Sequence, residues 1–287
     1  MESGKKEKKE KARIPERILR KYRRLVRLLK SQGSLVVAFS GGVDSSLLLK
    51  AAAEALGSNV LAAVVDSPIV HREEIKTARA IARQLGVCLR MVRSDDYLVE
   101  DFKKNSPLRC YFCKRALFRR LLNLARKEKL AVVAEGSNLD DELDYRPGEK
   151  ALQELGVKSP LKEAGLRKAE IRLLARHFGL PNWDRPANAC LATRIPFGQP
   201  VEIEWLARID QGESFLKKIG FSQVRLRHHG ETARIEVGPE EILLAVKPEN
   251  RQKIIDRLKK LGWKYVTLDL EGYRMGSLNP FGRKRKT

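Results

Sequence analysis

The apolar run Leu35-Val36-Val37-Ala38-Phe39, followed at once by Ser40-Gly41-Gly42-Val43-Asp44-Ser45-Ser46, constrains this chain more than any other stretch. Paired valines in a short continuous apolar run predict a buried parallel strand. Two glycines allow a turn tight enough for backbone N–H groups to meet a ligand closely. Leu47, Leu48, Ala51, Ala52 and Ala55 then recur at helical spacing, which predicts a helix over 44–56. Hydroxyls and amides therefore collect at a helix N-terminus, where the macrodipole favours an anion. The lysine of a GxxxxGK[ST] phosphate loop is missing. On its own residues the stretch is either a phosphate cradle of another kind or a glycine turn entering a helix.

The following segments alternate in the same way. Gly57-Ser58-Asn59 is a turn, and strands are predicted over 60–65, 88–92 and 131–134 with helices over 72–85 and 111–128 between them. This is the pattern of an α/β doubly wound parallel sheet. Ligands in such sheets bind beyond the carboxyl ends of the strands. Ser40 to Ser46, Asp66-Ser67 and Gly136-Ser137-Asn138 fall there. Composition changes near Gly198. A helix over 202–218, a hairpin of 224–228 and 234–237 around His229-Gly230-Glu231, a helix over 248–261 and a strand over 265–268 predict a smaller α+β domain. The organisation expected is a basic disordered tail at 1–12, a nucleotide-binding α/β domain at 13–199, and a C-terminal α+β domain at 200–287 serving substrate or oligomerisation. Near the start, Ile18, Leu19, Tyr22, Leu25, Val26 and Leu29 trace one helical face after Pro15.

The 58 Lys and Arg against 36 acids give a formal charge of +22, which favours nucleotides, phosphorylated metabolites or RNA as partners. Part of the excess is local, since residues 1–30 hold thirteen Lys/Arg and four Glu. A solvated lysine-rich surface accounts for such a run equally well. No stretch is long and apolar enough for a membrane span, and the charged N-terminus lacks the apolar region of a secretory signal, so a cytoplasmic protein is expected. Four cysteines in 287 residues make no disulfide framework.

The motif at 40–46 resembles the PP-loop of the ATP pyrophosphatases, which hold the β,γ-pyrophosphate of ATP and leave the α-phosphate open to attack. Three further stretches narrow the resemblance: Asn105-Ser106-Pro107-Leu108-Arg109-Cys110-Tyr111-Phe112-Cys113-Lys114 in the long connection after the third strand, Glu135-Gly136-Ser137-Asn138-Leu139-Asp140-Asp141 continuing to Arg146-Pro147-Gly148, and Pro186 to Pro196 around Cys190. With the ending Gly272-Tyr273-Arg274-Met275-Gly276-Ser277-Leu278-Asn279, the chain resembles the LarE-type ATP-dependent sulfur transferases over nearly everything after the basic tail. The PP-loop marks only a superfamily; the cysteine-bearing segments in this order are more specific. The resemblance implies a homo-oligomeric enzyme of nickel-pincer nucleotide synthesis that thiolates pyridinium-3,5-biscarboxylic acid mononucleotide. MgATP would sit on the PP-loop, a substrate carboxylate would attack the α-phosphate, and sulfur would displace AMP from the acyl-adenylate. In single-cysteine members a thiolate at the position of Cys190 attacks, and elimination leaves dehydroalanine. This chain departs from that pattern, because Cys110 and Cys113 accompany Cys190. Three thiolates suit a [4Fe–4S] cluster with one iron lacking a protein ligand, able to carry sulfide from a donor. The CxxC spacing also fits a redox pair or half a zinc site, so cluster, sacrificial Cys190, and zinc or an inert pair all stand open. Cys88, between Val87 and Leu89, reads as a small core hydrophobe.

The remaining candidates follow from position and chemistry. Ser40, Gly41, Gly42, Asp44, Ser45, Ser46 and Gly136 form the expected ATP site, with Asp66 placed for the nucleoside. Asp44 and Asp141 suit Mg²⁺, although Asp141 also reads as a loop or cap aspartate. Arg109, Arg146 and Arg194 suit phosphate or carboxylate recognition through the guanidinium fork, or else surface ion pairs. Thr193-Arg194 beside Cys190 is the expected site of the substrate phosphate. Arg225, Arg227, His228, Glu236 and Arg274 are candidates for substrate or an interface. His228 and His229 point to opposite faces of a strand, so they read as solvated or interface histidines rather than one metal site. The rival reading is a PP-loop tRNA thiolase, favoured by charge and disfavoured by the absence of an appended RNA-binding module or zinc-ribbon cysteine pairs. A non-catalytic ATP-sensing or RNA-binding protein, and an ammonia-using amidotransferase without its glutaminase domain, are further alternatives.

Overall fold

The computed structural model describes residues 14–95, 99–143, 147–186 and 188–274. The basic tail at 1–12, Arg146 and the ending from Met275 lie outside them. The chain opens with α1 (Glu16–Lys30), β1 (Leu35–Ala38), α2 (Val43–Leu56), β2 (Val60–Asp66), α3 (Arg72–Gln84) and β3 (Cys88–Arg93). It continues with α4 (Glu100–Lys103), α5 (Arg109–Lys127), β4 (Val132–Ala134), α6 (Pro147–Glu154), α7 (Pro160–Glu163) and α8 (Lys168–His177). A second body holds α9 (Ile203–Lys218), β5 (Val224–His229), β6 (Thr232–Val237), α10 (Ile242–Val246), α11 (Pro248–Lys260) and β7 (Tyr265–Leu268).

The first four strands form one parallel sheet in the order β3-β2-β1-β4. Leu35, Val36 and Val37 of central β1 are fully buried, as a strand covered on both faces requires. The chain leaves β1 towards β2 on one side and β4 lies on the other, so the carboxyl end of β1 faces the crevice where strand order reverses. One core carries α1, α2, α3 and α8, with Leu25, Leu29, Leu47, Leu48 and Ile81 essentially without solvent contact. The opposite face packs Phe118 and Leu121 of α5 on Val36 and Val133. The expected alternation is therefore present. The region 147–177, which gave no sequence-level prediction, supplies α6, α7 and α8.

Two expectations fail here. Cys88 is exposed, because β3 is an edge strand whose alternate positions face solvent. Arg109, Cys110 and Cys113 lie not in a connection but in the first turns of α5.

The C-terminal sheet has the order β5-β6-β7, with an antiparallel hairpin between His229 and Thr232 and β7 parallel to β6. Its core also takes in Ile69, Phe102, Leu191, Ala192, Ile195 and Val201, so the segment carrying Cys190 is packed into the second body. Within that core His228 is only 2% exposed, not solvated. Its ring lies 4.2 Å from Trp205, and Trp263 Nε1 donates to its Nδ1 at 3.0 Å. Burial, then Arg208 and His229, hold the imidazole down at about 4.

Two predictions follow from these contacts. His228 has a folded pKa below its unfolded value, so the unfolded chain binds the extra proton and stability falls as pH drops from about 6.5 to about 4. Replacing His228 with Phe should remove up to about 3 kcal/mol of that acid-side loss, read from urea unfolding at pH 4.5 and 7. An unchanged pH slope would contradict the assignment. Gly41 has φ +77, and a Cβ there would stand 3.0 Å from the Glu74 carbonyl and 3.1 Å from the Ala78 Cβ. Gly41→Ala should cost about 2 kcal/mol of unfolding free energy, through left-handed strain and overpacking together. Undiminished stability would show that the turn has room to move.

Candidate active site at the junction of the two bodies

The nucleotide cradle is built where β1 ends. Ser46 N donates to the Gly42 carbonyl at 3.0 Å, opening α2, and the Ser46 and Ser45 hydroxyls donate back to the same carbonyl. Ser40 Oγ lies 3.1 Å from Ser45 Oγ and accepts from Gly42 N. The turn thus presents hydroxyls and the first amides of a fourteen-residue helix on one side. Gly136, just beyond β4, presses on that helix start: a Cβ would come within 3.0 Å of Ser45 N. Asn182 closes the back of the turn, donating to the Gly41 carbonyl at 2.7 Å and to Ser46 Oγ at 2.9 Å.

Two carboxylates proposed from sequence meet here. Asn138 N donates to Asp141 Oδ2 at 2.9 Å, and Asn138 Nδ2 reaches Asp44 Oδ1 at 3.5 Å. Lys168, from the first turn of α8, forms an ion pair with Asp44 Oδ2. Sequence reading missed Lys168 and Asn182, which come from a region whose helical pattern was not recognised. Asp66 stands apart, with its carboxylate taken by Arg72 at 2.5 Å.

The thiol site lies beside the N-terminal end of α3. Cys190 caps the short 3-10 helix Leu191–Arg194, and Leu191 N donates to the Ile69 carbonyl at 2.9 Å. Cys110 and Cys113 are one helical turn apart on α5, and Cys113 and Cys190 both pack on the second core. Burial, then the neighbouring Cys110, push the Cys190 thiol up, while Arg109 and Arg194 pull less strongly the other way. Among the described residues no three His, Cys, Asp or Glu side chains stand as a group that could hold a single metal ion.

Two of the three arginines expected to bind phosphate, Arg109 and Arg194, are buried in the protein itself. Arg194 is 0% exposed. Its Nε and Nη2 pair with both Glu213 oxygens at 2.8 and 2.9 Å. Nη1 donates to the Ala189 carbonyl at 2.8 Å and to Thr193 Oγ1, and Nη2 also meets His71 Nε2 at 3.2 Å. Arg194 and Thr193 therefore organise the Cys190 turn rather than receive a phosphate. Arg109 is likewise buried, with Nη1 on Asn105 Oδ1 and the Ala192 carbonyl. Arg227 Nη1 donates to the Thr193 carbonyl at 2.9 Å and Nη2 to Glu236 at 2.7 Å. Arg225 stacks 5.0 Å from the Tyr273 ring, its basicity lowered by burial and then by Arg194. Arg274 is part-exposed and lies near Asp269 and Glu271. Glu213 and His71 carried no signal of their own in the sequence. Burial pushes the Glu213 carboxyl up, yet Arg194, with His71 and Arg225, outweighs it and holds it at about 2.

Comparison with known proteins places this geometry. The NAD synthase family matches residues 16–183, which span the parallel sheet and its cradle. A pyridinium-3,5-bisthiocarboxylic acid mononucleotide synthase of Lactiplantibacillus plantarum is 40% identical over 261 residues, covering 89% of this chain and 92% of that protein. An uncharacterised protein of Synechocystis is 40% identical over 85% of this chain and 91% of its own length. One of Methanocaldococcus jannaschii is 31% identical over 84% and 90%. Among the described residues no helix is long and apolar enough to cross a membrane. The parallel sheet and its cradle are thus those of a known lineage, and the chain belongs to the LarE-type, ATP-dependent sulfur transferases built on the NAD synthase PP-loop fold.

Proposed function

We propose that this enzyme adenylylates the carboxylates of pyridinium-3,5-biscarboxylic acid mononucleotide and converts them to thiocarboxylates. One observation carries the reading: a single stretch, Ile69 to Ala78, walls both the nucleotide cradle and the thiol turn. Glu74 and Ala78 back Gly41, while the Ile69 carbonyl and His71 hold Leu191 and Arg194. Adenylate formed at the cradle is then delivered beside a sulfur nucleophile.

In this reading Ser40, Gly41, Gly42, Ser45 and Ser46 hold the outer phosphates at the α2 N-terminus. Asp44 and Asp141, joined through Asn138, are oxygen donors of the kind Mg²⁺ takes beside phosphates. Lys168 leaves Asp44 to meet a phosphate when ATP enters, which keeps the cradle charge-balanced in both states. A substrate carboxylate oxygen attacks the α-phosphorus, pyrophosphate departs, and the acyl-adenylate carbonyl becomes the electrophile. Sulfur attack expels AMP and leaves the thiocarboxylate. Arg225 and Arg274 provide cationic recognition of the anionic nucleotide from the second body.

The donor set Cys110, Cys113 and Cys190 fits an iron–sulfur cluster in kind, being three thiols drawn from one helix turn and one facing turn. A [4Fe–4S] cluster there would leave one iron free of protein ligands, able to supply a replaceable sulfide. Without it, the Cys190 Sγ would attack the acyl-adenylate itself, and loss of the Cα proton would release thiocarboxylate and leave dehydroalanine. Burial keeps Cys190 protonated, so either use requires proton removal first.

Asp44→Asn and Lys168→Met should each lower nucleotide-dependent pyrophosphate release by about a hundredfold or more, measured by coupled phosphate assay. Wild-type rates in both variants would sink the assignment of the cradle. Anoxic turnover with ATP, sulfide and the pyridinium nucleotide separates the sulfur sources: repeated turnover at constant protein mass supports the cluster, and loss of one sulfur per chain supports sacrifice of Cys190.

A further inference from the structure

The start of α5 is fastened to the Cys190 segment by a buried clasp that the chemistry above does not use. Asn105 is fully buried and sits at φ 52, in the left-handed region. Its Nδ2 donates to the Pro196 carbonyl at 2.8 Å and the Gln199 carbonyl at 2.9 Å, and its own carbonyl accepts from Gly198 N at 3.2 Å. Its Oδ1 accepts from Arg109 Nη1, which also donates to the Ala192 carbonyl at 3.1 Å. The Arg109 guanidinium lies 4.5 Å from the Phe197 ring centroid. Val201 N donating to the Lys103 carbonyl at 3.0 Å extends the same seam.

We propose that Asn105 and Arg109 are positioning residues that fix the spacing between the Cys110/Cys113 turn and Cys190. Arg109 precedes Cys110 directly, and the carbonyl it holds, that of Ala192, is two residues beyond Cys190. The clasp therefore ties the residue before Cys110 to the turn that begins at Cys190. Asparagine suits the site twice, because it tolerates the left-handed backbone and its amide spans two carbonyls while accepting from the guanidinium. Lysine could replace the charge of Arg109 but neither the fork nor the planar stack. This assignment rests on the reading of the three thiols as one sulfur site, but its geometric core is testable without ATP or substrate.

The test is thiol crosslinking of the full-length, reduced chain with dibromobimane, in a Cys88→Ser, Cys113→Ser background so that Cys110 has Cys190 as its partner. Peptide mass mapping gives the yield of the Cys110–Cys190 bridge. Asn105→Gly keeps the left-handed backbone at no steric cost and deletes only the side-chain bonds; Arg109→Lys keeps the charge. Circular dichroism and a thermal melt establish that each variant is folded at the assay temperature. The bridge yield is expected to fall about tenfold in both folded variants, the loss that follows when hydrogen bonds to one charged group no longer hold a close arrangement. Iron retained per chain after anoxic reconstitution of the variants carrying all four cysteines should fall with it. Undiminished crosslinking in both folded variants would overturn the clasp. The expected fall in crosslinking, together with no thiolation by the wild-type enzyme, would instead overturn the functional reading and leave the clasp standing.

Discussion

A buried ion pair, Arg194 with Glu213, is the interaction on which the rest of the site depends. Both side chains have no solvent contact and meet through two parallel hydrogen bonds. Removing one partner of such a pair leaves an uncompensated buried charge and costs about 3–5 kcal/mol, so the pair holds its geometry firmly. Three elements converge on it. Glu213 comes from α9 and also accepts from Leu226 N of β5; His71 comes from the start of α3; Arg194 closes the turn that begins at Cys190. The pair lies within the second body, and its link to the first runs through His71, which meets Arg194 Nη2 at 3.2 Å. The Cys190 turn is thereby tied to the start of α3.

The electrostatic consequence is local and differs in kind from the overall charge. Arg109, Arg194, Arg225 and Arg227 are all buried around the Cys190 turn, against the buried carboxylates Glu213 and Glu236. Burial first, and then the proximity of Arg194, lower the basicity of Arg225. The cradle follows the opposite design. There the positive end of a helix dipole and Lys168 stand beside Asp44 and Asp141, a mixture suited to holding metal and phosphate together.

The parallel sheet was legible because its strands are continuous apolar runs, as at 35–39, alternating with helix-length segments bounded by glycine turns, as at 43–56. The cradle was legible because glycines and hydroxyls can stand in that order after a strand for few physical reasons. Gly41 shows one of them, with a left-handed φ and backbone crowding where a Cβ would lie. What escaped was whatever depends on long-range partners. Arg194 looked like a phosphate ligand because a guanidinium beside a cysteine carries no mark of the glutamate nineteen residues later that claims it. Lys168 opens a ten-residue helix and Asn182 lies in the turn after it, and neither carries a local mark of its approach to Asp44 or Ser46. Cys88 alternated as a core position would, but edge placement is a property of the sheet rather than of the strand. His228 was read correctly as pointing away from His229, yet its burial between Trp205 and Trp263 is set by residues from α9 and the loop before β7.

The central claim is that a carboxylate oxygen of the substrate becomes bonded to the α-phosphorus before sulfur arrives. The most direct measurement supplies pyridinium-3,5-biscarboxylic acid mononucleotide with ¹⁸O in its carboxylates and weighs the AMP formed during thiolation. Attack at phosphorus followed by displacement at carbon transfers one carboxylate oxygen to AMP, so each AMP should carry one ¹⁸O. Unlabelled AMP accompanying thiocarboxylate formation would contradict the account, because the carboxylate would then never have been adenylylated.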